Sequence, residues 1–228
     1  MIAVLYDIHG NLPALEAVLA DAVGADVDGF IFGGDYALFG PWPAETLARL
    51  RQLEGATFIR GNVDRWTAFP DDLPDDEALR RAVADCREAI GADAAAALGG
   101  LAEQTVVGAT RYCHASPASD MSSFLPEPGD DDDELLTGVG ERRIVFGHTH
   151  LQFRRTRPDR VELINPGSVG MPFDGDGRAA YALLHDDDSL ELRRVAYDVE
   201  ASAAAVVDRF GEVEWATRSA RRLRAARP

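Results

Sequence analysis

Five histidines occur in the chain, and four of them stand in loops rich in Gly, Asp, Ser and Thr just after apolar runs. Asp7-Ile-His9 and His148-Thr-His150 each place two ligand-type side chains at alternate positions, so an extended loop points both into one volume. His114 follows another such run, and Asp35 and Asn62 add oxygen donors. Neutral imidazole suits Mn, Fe, Zn or Ni, while carboxylates supply the negative charge that lets two divalent ions sit close together. Asp7, His9, Asp35, Asn62, His114, His148 and His150 are therefore the candidate metal ligands, with Asp35 able to bridge both ions. Gly10, Gly33, Gly34, Gly61 and Gly147 beside them permit tight turns and close backbone approach.

Positioning these groups requires strands that end where they begin. Ile2–Tyr6 is a short apolar run stopping at Asp7, Gly29–Phe32 precedes Asp35, and Ala56–Arg60 precedes Asn62. Between them, Leu12–Val23 and Ala44–Leu53 have helical spacing, with Asn11 as N-cap and Pro13 in the first turn. Strand, helix, strand, helix, strand predicts parallel pairing with right-handed crossovers, and ligands then sit beyond the carboxyl ends of the strands. Asp75–Leu98 reads as one long helix or a helical pair, and Thr105–His114 and Arg142–Phe146 as further strands. Leu151–Thr156, Val161–Ile164, Ala179–Leu184 and Leu190–Val195 are expected to form a second, antiparallel sheet. Val199–Phe210 and Glu214–Arg224 are expected as terminal helices. No repeat or linker divides the chain, so residues 1–228 are expected to make one domain.

Taken in order, Asp7-Ile-His9-Gly10-Asn11, Gly34-Asp35, Gly61-Asn62-Val63-Asp64, His114-Ala-Ser and Gly147-His148-Thr149-His150 resemble the calcineurin-like metallophosphoesterase superfamily. Asn165-Pro166-Gly167-Ser168 is similar to the segment that follows in its small bacterial and archaeal phosphodiesterase branch. The resemblance implies an α/β (α+β) fold, a four-layer αββα sandwich of two mixed sheets flanked by helices. It also implies two divalent metal ions, Mn first and Fe, Zn, Ni or Mg as alternatives. Asp7, His9 and His150 would hold one, Asn62, His114 and His148 the other, with Asp35 between. The implied reaction is phosphoester hydrolysis by a hydroxide bridging the two metals, with Asp35, Asn62 and His148 as candidate catalytic residues. Many members carry His after the motif's Asn, where it serves the leaving group or the phosphoryl oxygens. Val63 stands there in this chain and can do neither, which implies leaving groups needing little protonation or a substitute donor such as a metal-bound water, and shifts the reading toward diesters. A phosphomonoesterase, including a protein phosphatase, and a nucleotide or dinucleoside polyphosphate hydrolase are the alternatives within this class. A non-catalytic metal-binding scaffold is the rival outside it.

Composition bounds the partners. The chain has 228 residues, 46% hydrophobic, with 39 acidic residues against 23 basic ones for a net charge of −16, and every basic residue is Arg. Such a surface repels nucleic-acid backbones and anionic membranes, so neither is an expected partner, and a small phosphoester is. A homo-oligomer remains open. Binding an anion at all requires the metal centre to reverse the local field. No signal peptide or membrane span is evident, and Cys86 and Cys113 suggest no disulfide framework, so the cytoplasm is the expected location.

Several other residues compete between binding and structure. Asn11, Tyr36 and Arg65 are the candidate substrate-binding residues, among a group with Phe39, Trp42 and Trp66 that could stack a nucleoside or pack in the core. Asp64 is expected to cap or to support a ligand. His185 is expected to be structural, Pro126–Glu134 to be an acidic surface segment with Asp130–Glu134 a solvated loop, and Arg218, Arg221, Arg222, Arg224 and Arg227 to be a solvated helix end.

Overall fold

A computed structural model describes all residues, 1–228. Two five-stranded mixed sheets pack face to face with helices around them. The first sheet runs in the order β10-β9-β1-β2-β3. Its parallel part is β1 (Ile2–Leu5), β2 (Gly29–Phe32) and β3 (Ala56–Phe58), joined by α1 (Leu12–Gly24) and α2 (Pro43–Leu50). Along β1 the side chains alternate: Ala3 and Leu5 face the helical layer, while Val4 and Tyr6 face the second sheet.

The second sheet has the order β4-β5-β6-β8-β7. The expected single strand over Thr105–His114 is a hairpin, β4 (Gln104–Val107) and β5 (Thr110–Cys113), turned at Gly108 with φ +60°. Next come β6 (Arg143–Val145), β7 (Gln152–Thr156) and β8 (Glu162–Pro166). Tyr112, Val145 and Ile164 from this sheet pack on Val4, Tyr6, Ile31 and Ile59 from the other.

The largest correction concerns β9 (Ala179–Leu184) and β10 (Leu190–Val195). They do not extend the second sheet but return to the first, where Ile2 pairs with Leu184 and Val4 with Ala182. The reason lies in Ala179–Leu183, which is buried on both faces, with Tyr181 and Leu183 toward the helices and Ala182 toward the other sheet. A strand apolar on both faces belongs between two covering layers.

The region over Asp75–Leu98 is a helical pair, α4 (Glu77–Ile90) and α5 (Ala92–Gly99), broken at Gly91 with φ +82°. A short helix missing from the sequence reading, α3 (Asn62–Ala68), begins at a candidate ligand. The acidic segment is not a free loop. It contains α6 (Asp132–Leu135), and Asp132 is buried where Arg155 (2.8 Å) and Arg157 (3.5 Å) reach it. Phe124 and Leu135 from this region cover the outer face of the second sheet at Ile144, Phe146 and Leu163. α7 (Val199–Phe210) and α8 (Glu214–Ala225) pack together beside the first sheet. Both cysteines are buried and free, and no helix is long and apolar enough to cross a membrane.

Candidate metal centre

All seven candidate ligands follow strand ends and converge between the two sheets. Asp7 and His9 follow β1, Asp35 follows β2, Asn62 opens α3 after β3, His114 follows β5, and His148 and His150 follow β6. Asp7, His9, Asp35, His148 and His150 all have positive φ, between 48° and 66°. Left-handed backbone in non-glycine residues costs on the order of 1–3 kcal/mol each and persists only where surrounding bonds enforce it.

Those enforcing bonds are specific. Asp64 accepts hydrogen bonds from the backbone N–H groups of Asp35 (2.7 Å), Gly61 (2.9 Å) and Tyr36 (3.1 Å), clamping the loop after β2 to the start of α3. In return the Val63 N–H, at the helix N-terminus, donates to Asp35 Oδ1 at 3.1 Å. Gly61 makes this approach possible, because a Cβ there would lie 2.0 Å from Asp35 Oδ1. On the other side, Asn165 donates to Gly147 O and Thr149 Oγ1, both at 2.9 Å. Ser168 Oγ donates to Asp7 O at 2.7 Å, tying the loop after β8 to the loop after β1.

Donor chemistry tests whether the cluster fits cations. His9 Nδ1 lies 2.9 Å from Leu38 O, His114 Nδ1 2.9 Å from Gly33 O, and His150 Nδ1 2.6 Å from Met171 O. A carbonyl only accepts, so each Nδ1 carries the proton and each Nε2 turns inward as a donor atom. His9 Nε2 and His150 Nε2 then face each other at 3.1 Å. Two lone pairs that close repel unless something positive sits beside them. Asp7 Oδ1 lies 3.6 Å from His150 Nε2, and it is buried with no hydrogen-bond partner. Its other oxygen accepts from the His148 N–H at 3.0 Å. This orphaned carboxylate oxygen between facing imidazoles is what a cation site requires, and the residues fit the group.

The remaining donors form an adjoining set. Asp35 Oδ2 is 3.4 Å from His114 Nε2 and 3.8 Å from His9 Nε2, and Asp7 Oδ1 is 3.9 Å from His114 Nε2. Asn62 Oδ1 lies 2.9 Å from His114 Nε2 and 3.0 Å from His148 Nδ1. Two overlapping groups result, Asp7-His9-His150 and Asp7-Asp35-His114, so Asp7 is shared as well as Asp35 lying between. Burial lowers the pKa values of His9 and His150, and pushes His148 down to about 4 with help from His114. Burial also opposes charge on His114, but Asp35 and Asp7 outweigh it and push this group up to about 10. Three imidazoles are thus neutral and ready to ligate, while the fourth holds a proton that a cation must displace.

The other expected site residues separate sharply. Tyr36 is buried in the core, its hydroxyl bonding the carbonyls of Phe32 and Ile59 at 2.9 and 2.6 Å, and it does not face the donors. Asn11 spends its amide internally. Nδ2 donates to Gly170 O at 2.8 Å, and Oδ1 accepts from Ser202 Oγ at 3.0 Å and caps α1 at Ala14 N. Arg65 lines a cavity of about 280 Å³ beside His114, but Asp120 holds it through two bonds of 2.7 and 3.1 Å. His185 lies away from the cluster, 3.3 Å from Glu191.

Sequence reading placed one lining residue only in a solvated tail. Arg222, on α8, lines the cavity of about 180 Å³ that contains His9, Asp35, Asn62, His148 and His150. In the sequence it is one of five arginines in a basic tail, and no local signal separates it from its neighbours.

A sequence profile of the calcineurin-like phosphoesterase superfamily domain matches residues 1–189. An uncharacterised protein of Methanocaldococcus jannaschii is 29% identical over 229 residues, covering 91% of this chain and 92% of its own length. Among solved structures, a metallophosphoesterase from Sphaerobacter thermophilus superposes with a TM-score of 0.84 at 26% identity, covering 99% of this chain and 98% of that one. A protein of Pyrococcus horikoshii superposes with a TM-score of 0.83 at 20% identity, covering 96% and 97%.

Proposed function

The chain belongs to the calcineurin-like phosphoesterase superfamily, and from that premise we propose that it is a metal-dependent phosphoesterase that prefers diesters to monoesters. The observation that carries the proposal is the convergence of inward-facing imidazole nitrogens on an Asp7 oxygen that has no other partner. Two divalent cations, when bound, supply Lewis-acid neutralisation of the phosphoryl charge and a water of lowered pKa for in-line attack. They also give a strongly acidic protein a locally positive site, since the donors nearest them include only two carboxylates, Asp7 and Asp35.

The chain's own residues do the positioning. Asp35 lies between the two donor groups, and its orientation is held by the N–H of Val63 and, through the backbone, by Asp64. His148 lines the open cavity, where its neutral ring can face a substrate oxygen. Burial closes most of the other donors off from bulk water.

Leaving-group chemistry follows from Val63, whose aliphatic side chain lines the cavity and offers no proton. His9, His148 and His150 are neutral, and none is poised as a strong acid. The proposed substrates are therefore esters whose leaving group departs without much protonation. Net charge adds a second preference: a chain of −16 repels a monoester dianion more than a diester monoanion.

Mn²⁺-loaded protein is expected to hydrolyse bis(p-nitrophenyl) phosphate faster than p-nitrophenyl phosphate. Asp35→Ala and His148→Ala are expected to reduce that rate by roughly a thousandfold, several kcal/mol of transition-state stabilisation. Undiminished turnover in both variants would remove the assignment, and a faster monoester rate would reverse the diester preference.

A further inference from the structure

Arginine in this chain is almost always neutralised. Most of the 23 arginines pair with a carboxylate of the chain, as Arg218 does with Glu214 and Arg224 with Glu200. Arg87 instead donates to the carbonyls of Thr67 and Ala68. Arg51, Arg160, Arg221 and Arg227 lack partners but are exposed, where water serves them. Arg222 alone is partly buried with neither an ion pair nor a carbonyl acceptor, and its Nε is buried without a partner. In a chain with 39 acidic residues, an unmatched guanidinium at this depth is a costly arrangement.

Its surroundings hold it in place without satisfying it. The guanidinium lies over the Phe173 ring, 5.7 Å from the centroid, and Phe173 in turn stacks on the ligand His150 at 4.4 Å and 18°. The ring face attracts the cation without using its N–H donors, which stay available to a ligand. The cavity it lines is the one lined by His9, Asp35, Asn62, His148 and His150. Burial strips water from it, and Arg218 and Arg221, the charged groups that act on it most, both repel it. An anion entering this cavity meets the metal donors on one wall and a preoriented, unneutralised fork on the other.

We propose that Arg222 binds the non-bridging oxygens of the substrate's phosphate group, making the C-terminal helix part of the substrate site. A guanidinium takes two phosphate oxygens at once, which both neutralises and orients the group. α8 lies beyond residues 1–189, so this contact is not part of the matched domain profile. The proposal rests on the phosphoesterase reading above.

Inorganic phosphate is the probe, titrated by calorimetry into the Mn²⁺-loaded wild type, Arg222→Ala, Arg222→Met and Arg222→Lys, with metal per chain and melting temperature measured alongside. Arg222→Ala and Arg222→Met are expected to weaken phosphate binding roughly 10- to 100-fold, the loss of a charge-assisted bidentate contact, with Arg222→Lys between them and the wild type. Metal content and melting temperature are expected to stay at the wild-type values. With the activated diester, KM is expected to rise by more than kcat falls. Phosphate affinity within about twofold of wild type in a metal-loaded Arg222→Met would overturn the proposal. So would loss of metal in all three variants, because the residue would then be supporting the cluster. A wild type that takes up no metal and binds no phosphate overturns the phosphoesterase reading along with this one, whereas an active wild type with unaffected variants overturns this one alone.

Discussion

Two walls flank the donor cluster, each presents an arginine, and the two are used in opposite ways. On the His114 side, Arg65 is gripped by Asp120 through two bonds, with Asp72 3.7 Å away, and nearby Arg60 is paired with Glu103. On the His150 side, Arg222 lies over the Phe173 ring and pairs with no carboxylate. A neutralised arginine is a fastener: it ties α3 to the segment that carries Ser116 and Asp120, and it brings little net charge to a ligand. An unpaired one adds a full charge to the cavity. Residue type and distance to the cluster are thus weak guides to binding, and the state of each group's partners is the better one.

Removing the clamp on the Asp35 loop should have the largest effect. Asp64→Ala deletes a carboxylate that accepts three backbone N–H groups and leaves them buried. Metal affinity is expected to fall roughly 10- to 100-fold, with a lower melting temperature, as measured by calorimetry and thermal unfolding. Unchanged affinity would mean that the Asp35 loop keeps its shape unaided.

A pH dependence comes next, and its sign follows from His114. In the cation-free chain this group is protonated up to about pH 10, held there against burial by Asp35 and Asp7. A cation must displace that proton, so metal affinity should rise with pH between neutrality and about pH 10, with release of protons on binding. Metal titrations in buffers of different ionisation enthalpy read the proton count. A flat profile over pH 7 to 9 would place the proton elsewhere.

The smallest effect sharpens the contrast between the walls. Arg65→Ala should leave phosphate affinity within about twofold of wild type, because Asp120 already neutralises Arg65. Stability should fall by about 1 kcal/mol, as expected for a partly exposed pair with bidentate geometry. Equal losses of phosphate affinity in Arg65→Ala and Arg222→Met would erase the difference between the walls.

Much of the site was legible because its donors sit where local pattern is strong. Short apolar runs ending at Asp7 and just before Asp35 and Asn62 announce parallel strands, and parallel strands put those ends together. What escaped depends on contacts distant in sequence. β9 pairs with β1 across the length of the chain, and nothing local to Ala179–Leu184 names its neighbour, although its double-faced apolarity hints at a covered sheet. α3 is too short, at seven residues, to show a helical period. Asp132 looks like one carboxylate among many until Arg155 and Arg157 arrive from β7 and the turn after it. Tyr36 and Arg222 exchanged roles for the same reason: the tyrosine next to a candidate ligand turns into the core, and an arginine far from the motifs turns toward them.

Anomalous diffraction from Mn²⁺-soaked crystals tests the central claim most directly. The account predicts two peaks in the cluster, one among Asp7, His9 and His150 and one among Asp7, Asp35, Asn62, His114 and His148. A single peak, or peaks outside these side chains, would contradict it.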